Sequence, residues 1–152
     1  MPKSYVVLGA GVVGLSTALE LRDRRPEAKI LIVAKHLPGD RTIEYTSPWA
    51  GANWLSVATD NGRQEEWDRV TYERFRDLAR DSAQTGVWGM GIHAIYDSPI
   101  EHAGVLSQGT NKIWYEKLGS LKMLAQSKLP DGAQFGYSLD TFVVDTQVYL
   151  PW

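Results

Sequence analysis

Two apolar runs of four residues stand near the start of the chain, Tyr5-Val6-Val7-Leu8 and Ile30-Leu31-Ile32-Val33. Continuous apolar runs of this length suit strands buried on both faces, and the second is rich in β-branched residues. Between them the period changes. Leu15, Ala18 and Leu19 lie three or four positions apart, on one helical face. Charge gathers from Glu20 to Arg25, and Pro26 stops the run. The pattern predicts strand, helix, strand.

The pattern is more varied downstream. Pro38 to Trp54 reads as a loop. Asn61 is placed to cap a helix from Arg63 to Arg80, with Gln64 set for a capping box. Trp67, Val70, Leu78 and, slightly off the stripe, Phe75 give that helix an apolar side. Arg63, Glu66, Arg69, Glu73, Arg76 and Asp77 form a solvated face. Val87 to Tyr96 turns strand-like and Asp97-Ser98-Pro99 ends it. Residues 100 to 133 read as loop-rich, with a short helix around Ser120 to Gln126. Phe135 to Val144 alternates as a strand, with Phe135, Tyr137 and Leu139 on one side. Thr146 is the expected N-cap of a helix beginning at Gln147. Most of the six Trp residues are expected in a core.

The chemistry begins where the first strand meets its helix. Gly9-x-Gly11-x-x-Gly14 sits at that junction. Three glycines so spaced let the backbone turn sharply, approach a pyrophosphate and pack helix on strand. The phosphates then meet unpaired N–H groups at the positive end of the helix. A dinucleotide, FAD or NAD(P), is the implied guest. Such sites usually carry Asp or Glu at the end of the second strand, for the ribose hydroxyls. Here that position reads Ala34-Lys35-His36. A basic residue suits a 2′-phosphate, hence NADP, or an FAD site held by other contacts; the fingerprint does not choose.

Composition removes some classes. The chain has 152 residues and a net charge of −2 without a basic stripe, which argues against a nucleic-acid partner. It has no Cys, which excludes disulfides and thiolate metal sites. His36, His93 and His102 lack metal-ligand spacing. No run is long enough to span a membrane. The early Lys and the apolar residues up to Leu15 look superficially like a signal peptide. The fixed glycine spacing and the amphipathic continuation favour strand and helix.

A second block, Ser47-Pro48-Trp49-Ala50-Gly51-Ala52-Asn53-Trp54, bears on the choice of nucleotide. Ala50, Gly51 and Ala52 let backbone lie close to a flat ring, and Asn53 offers both donor and acceptor. With Val6 to Leu21, this block resembles the FAD-dependent D-amino-acid oxidase family of fungal type, which includes D-aspartate oxidases. Leu37-Pro38-Gly39-Asp40, Leu129-Pro130-Asp131-Gly132-Ala133, Thr141-Phe142 and Tyr149-Leu150-Pro151-Trp152 add to the resemblance.

The resemblance implies an α/β chain. Residues 1–85 would form a partial FAD-binding Rossmann-like βαβ fold with its helices. Residues 86–145 would begin a β-rich substrate-binding region, and residues 146–152 a truncated helix. It implies that Gly9, Ala10, Gly11, Val12, Val13 and Gly14 contact the FAD pyrophosphate. Lys35 and His36 would lie near the adenosine, and Ser47, Ala50, Gly51 and Asn53 along the phosphate, ribityl and flavin portions. The implied reaction oxidises a D-amino acid, with O2 reduced to hydrogen peroxide. The family's substrate-binding Arg and Tyr lie in its C-terminal half, so no catalytic residue and no metal ligand is expected here.

An N-terminal part that is marginally folded and inactive alone is therefore expected, with open strand edges. A full-length form would be a possible homodimer. Peroxisomal location is implied, although Leu150-Pro151-Trp152 is not a peroxisomal address. D-aspartate oxidase, a non-catalytic truncated FAD-binding product and an NAD(P)-binding dehydrogenase fragment are the competing readings.

Overall fold

The computed structural model describes residues 3–152 as a mixed α/β chain. It falls into two compact units. The first runs to Ala52 and adds Ala83–Gly86 and Val144–Trp152; the second comprises Asn53–Ser82 and Val87–Val143.

In the first unit, β1 (Ser4–Leu8) pairs in parallel with β2 (Lys29–Val33), in a register from Ser4↔Lys29 to Leu8↔Val33. Parallel neighbours require a crossover, and α1 (Val12–Arg24) provides it. The Arg25 N–H still reaches the Leu21 carbonyl at 2.9 Å, and Pro26 prevents further winding. The predicted strand–helix–strand unit is present.

Its burial differs from expectation. Val6 (61 % exposed) and Leu8 (79 %) stand opposite Leu31 (58 %) and Val33 (48 %) on one face of the two-stranded sheet. Helix α1 covers the other face only, where Val7 is buried. The runs are apolar on both sides, yet in this unit only one side is covered. Within α1 itself, Ala18 is buried while Leu19 is exposed, so the predicted stripe is half used.

In the second unit, Asp60, not Asn61, caps α2 (Arg63–Leu78). Its carboxylate accepts from the Gln64 and Glu65 N–H groups at 3.0 and 3.1 Å. Asn61 instead adopts a left-handed turn, φ 46°, and its N–H donates to Glu65 Oε1 at 2.9 Å. The reciprocal contact thus comes from Glu65 and not from Gln64. The buried residues of α2 are Glu65, Tyr72 and Leu78. Trp67 and Val70 face solvent, and the Arg63 guanidinium lies 4.8 Å over the Trp67 ring. A 3-10 turn, Ala79–Asp81, follows; of the next helix, α3 (Ser82–Thr85), only Ser82 belongs to this unit and the rest to the first.

A three-stranded sheet orders its strands β3 (Val87–Tyr96), β5 (Phe135–Val144), β4 (Lys122–Met123). Strand β4 stands where a short helix is predicted. Its neighbours Trp114–Leu118 and Gln126–Lys128 are 3-10 turns, and Met123 pairs antiparallel with Tyr137. Around β5 lies an aromatic core. Trp54 meets Tyr72 edge-on at 4.8 Å and Tyr115 at 6.2 Å. The Tyr137 hydroxyl hydrogen-bonds both Tyr115 (2.5 Å) and Tyr96 (3.2 Å). Only Trp54 and Trp114 of the six Trp residues are buried; Trp49, Trp67, Trp88 and Trp152 are about half exposed. His93 and His102 are exposed.

The last helix, α4 (Thr146–Tyr149), belongs to the first unit and starts one residue before its predicted position. Its cap is Asp145, whose Oδ1 accepts from Gln147 N at 3.0 Å. The Thr146 hydroxyl is used otherwise, donating to the carbonyl of Pro48 at 3.0 Å. Among the described residues, no helix is long and apolar enough to cross a membrane.

Candidate functional site

The glycine turn is built by sterics. Gly9 takes φ +95°, a conformation side chains rarely adopt, and its N–H closes on the Val33 carbonyl at 2.8 Å. At Gly14 a Cβ would collide with the Gly9 carbonyl oxygen. The first turn of α1 thus lies against the end of β1 as closely as a backbone allows. Ala10, between them, is buried, and its carbonyl accepts from the Tyr45 hydroxyl at 2.5 Å.

Gly11 precedes α1 with extended backbone and brings no capping side chain. The cap comes from Ser47, whose Oγ accepts from Val12 N at 3.1 Å. A Cβ on Gly11 would lie 2.9 Å from that same oxygen. No acceptor among the described residues meets the N–H of Val13 or Gly14, and the first turn carries no acid. The helix end keeps the donors and the partial positive charge that favour an anion.

Ser47 sits in the 3-10 turn Ser47–Trp49. The Pro48 carbonyl receives the Thr146 hydroxyl, and the Ala52 carbonyl receives the Val144 N–H at 2.8 Å. Ala50 and Gly51 are exposed, and a Cβ at Gly51 or at Gly9 would meet no atom of the chain within 4 Å. Small residues at these places leave open space beside the turn.

Lys35 and His36 lie just past β2 and are paired with acids. Lys35 Nζ meets Glu44 Oε2; His36 Nε2 lies 3.3 Å from the same oxygen, and His36 Nδ1 3.7 Å from Asp40. The hydrogen bonds from Lys35, then from His36, hold the Glu44 carboxyl below its usual range. Tyr45, next in sequence, stacks on His36 with centroids 6.1 Å apart. Burial pushes its phenol upward, with the charge of Asp40 adding to the shift.

The first unit therefore brings together Gly9, Ala10, Gly11, Val12, Val13, Gly14 and Ser47, and carries Lys35, His36, Ala50 and Gly51. Asn53 belongs to the second unit, where it is exposed and bridged to Val143. Sequence reasoning missed Glu44 and Tyr45. Their signal, an acid and an aromatic among Thr42, Ile43 and Thr46, is indistinguishable from ordinary loop composition.

The donor set fits a pyrophosphate. Free N–H groups, no acid in the first turn, a glycine that tolerates φ +95° and open space beside Gly9 and Gly51 are what such a group requires. A separate cavity of about 640 Å³ runs along α1, lined by Leu15, Leu19, Ile30, Ile32, Leu150 and Trp152 among others. It is mostly apolar, with Ser16 and Arg22 also in its lining and no acid, and it shares only Val12 with the predicted site.

Comparison with known proteins bears on the same residues. The profile of a family described as FAD dependent oxidoreductase matches residues 4–137. A D-amino-acid oxidase of Schizosaccharomyces pombe is 33 % identical over 149 residues, 98 % of this chain and 41 % of the relative. A D-amino-acid oxidase of Fusarium vanettenii is 31 % identical, covering 100 % of this chain and 43 % of the relative. A D-aspartate oxidase of Talaromyces thermophilus is 32 % identical, with 100 % and 46 % covered. The chain spans less than half the length of these curated relatives.

Proposed function

The chain belongs to the FAD-dependent oxidoreductase family, and on that premise we propose that it forms the nucleotide-holding part of an oxidase of D-amino acids. The observation that carries this reading is the turn from Gly9 to Gly14 with its two unmet N–H groups, in a chain similar to enzymes named for that activity.

In this reading the fold is a partial Rossmann-like one. Gly9, Ala10, Gly11, Val12, Val13 and Gly14 hold the pyrophosphate. Ser47 orients the first turn. Ala50 and Gly51 leave room for the ribityl and flavin portions, and Lys35 and His36 flank the adenosine. FAD would supply the hydride acceptor and the route to O2. The chain's own task is to bind and orient it, through backbone donors that need no rearrangement to meet an anion.

A D-amino acid is the proposed substrate, neutral or acidic, since relatives of nearly equal identity are named for both. A peroxisomal location belongs to the same reading, and imaging of a tagged protein checks it.

Calorimetric titration with FAD, and with NADP+ in parallel, tests the proposal. Saturable FAD binding that Gly11→Val abolishes is the expected result. Binding of NADP+ with none of FAD would replace it by a dehydrogenase. For the activity, peroxide release from D-alanine or D-aspartate, and none from the L-enantiomers, is expected of the protein at its relatives' length. Equal turnover of both enantiomers would end the oxidase reading.

A further inference from the structure

Nucleotide-binding βαβ units place an acid at the end of the second strand, where it accepts from the adenosine ribose hydroxyls. Here that strand ends in Ala34-Lys35-His36. The fold brings a carboxylate to this place from further along the chain. Glu44 directs Oε2 at Lys35 Nζ and at His36 Nε2, the latter 3.3 Å away. No donor among the described residues meets its Oε1. Glu44 is 59 % exposed at its side chain, so Oε1 is open to a hydroxyl.

The loop carrying Glu44 is fixed relative to the glycine turn. Tyr45 is buried, stacks on His36 and donates to the Ala10 carbonyl at 2.5 Å. The acid is thereby held beside the β2 end and tied to the turn that would hold a pyrophosphate. The hydrogen bonds from Lys35 and then from His36 hold its carboxyl below the usual range.

We propose that Glu44 receives the ribose hydroxyls of a bound adenosine and excludes a 2′-phosphate, with Lys35 and His36 as its positioning partners. This rests on the FAD reading above. Lys35, taken from sequence, suits a 2′-phosphate; in the fold its charge is already matched by Glu44. A phosphate at the 2′ position would bring up to two negative charges against that carboxylate. A free hydroxyl would donate to Oε1 instead, in a charge-assisted hydrogen bond.

The test is calorimetric titration of the whole chain with FAD, ADP-ribose and 2′-phospho-ADP-ribose. The wild type is expected to prefer ADP-ribose. Glu44→Gln, isosteric and at an exposed position, should weaken ADP-ribose about tenfold, a change of ~1.4 kcal/mol, and strengthen 2′-phospho-ADP-ribose. Lys35→Met removes one of the two groups that hold Oε2, so it should weaken ADP-ribose, though less than Glu44→Gln does, and leave ADP-ribose preferred over its 2′-phosphate because the acid remains. An unchanged ratio of the two ligands in Glu44→Gln overturns the inference while leaving the FAD reading intact. A wild-type preference for the 2′-phosphate overturns it too. A wild type that binds no FAD removes the reading itself, and the inference with it.

Discussion

Ser47 Oγ accepts a hydrogen bond from the backbone nitrogen of Val12, 3.1 Å away and 35 residues earlier in the chain. A helix that begins on glycine thus takes its N-cap from a distant loop. Ser47→Ala removes the acceptor and should cost about 1 kcal/mol, in the range of a lost helix cap. Urea denaturation measures it, and a change within error would mean that water replaces the hydroxyl.

Gly14 and Gly11 should respond differently to the same added methyl group. At Gly14 the Cβ meets the Gly9 carbonyl, which is backbone and fixed by the turn; at Gly11 it meets the Ser47 hydroxyl, which can rotate away. Gly14→Ala is expected to destabilise by roughly 1–3 kcal/mol, as overpacking does. Gly11→Ala should be milder and should free the Val12 N–H. Denaturation midpoints of the pair decide it, and equal losses would contradict the stated geometry.

Tyr45→Phe leaves the carbonyl of buried Ala10 without its donor. The cost should be about 1–3 kcal/mol, the range for an unpaired buried polar group. Because Tyr45 also fixes the loop of Glu44, FAD should bind more weakly in this variant, read by the same calorimetry.

The three linked phenols of Tyr96, Tyr115 and Tyr137 should make stability fall in alkali. Burial is the largest cause raising each above the usual value of 10.0. The unfolded chain therefore loses these protons first. Above pH 10 it binds fewer protons than the native state, and stability declines as pH rises until the folded groups titrate as well. Below pH 10 the contribution is complete. Tyr137→Phe should flatten the alkaline slope while lowering stability at neutral pH, since two hydroxyl partners lose a contact. Denaturation midpoints across the alkaline range measure both.

Glu65→Ala should be more damaging than truncation of a surface acid on α2. Glu65 is buried and accepts from Asn61 N–H and from the Ser107 hydroxyl. Its removal strands both donors, at about 1–3 kcal/mol. Glu66, exposed and paired with Arg69, is the control, and its alanine variant should be nearly neutral.

What could be read from sequence was local. The βαβ unit followed from the periods of Tyr5–Leu8, Leu15–Leu19 and Ile30–Val33, and the turn from glycine spacing. Contacts across long separations could not be read this way. Ser47 capping α1, Thr146 reaching the Pro48 carbonyl and Glu44 pairing with Lys35 each depend on where a loop returns. The cap of α2 went to Asp60 rather than Asn61 because Asn61 is used for a left-handed turn. Trp67 and Val70 are apolar at helical spacing, yet they face solvent. The face that is buried instead carries Glu65 and Tyr72, whose polar atoms find partners. The first two strands are apolar on both faces, and that pattern does not say which face a neighbour covers.

The bare side of the first sheet has a thermodynamic consequence. Val6, Leu8, Leu31 and Val33 offer a flat oily surface to any partner able to cover it. Whatever binds that surface binds the folded chain and not the unfolded one, so it adds to stability by mass action. Were a second copy to cover it, the melting temperature would rise with concentration, whereas a segment of the same chain would give no such dependence. A dilution series separates the two.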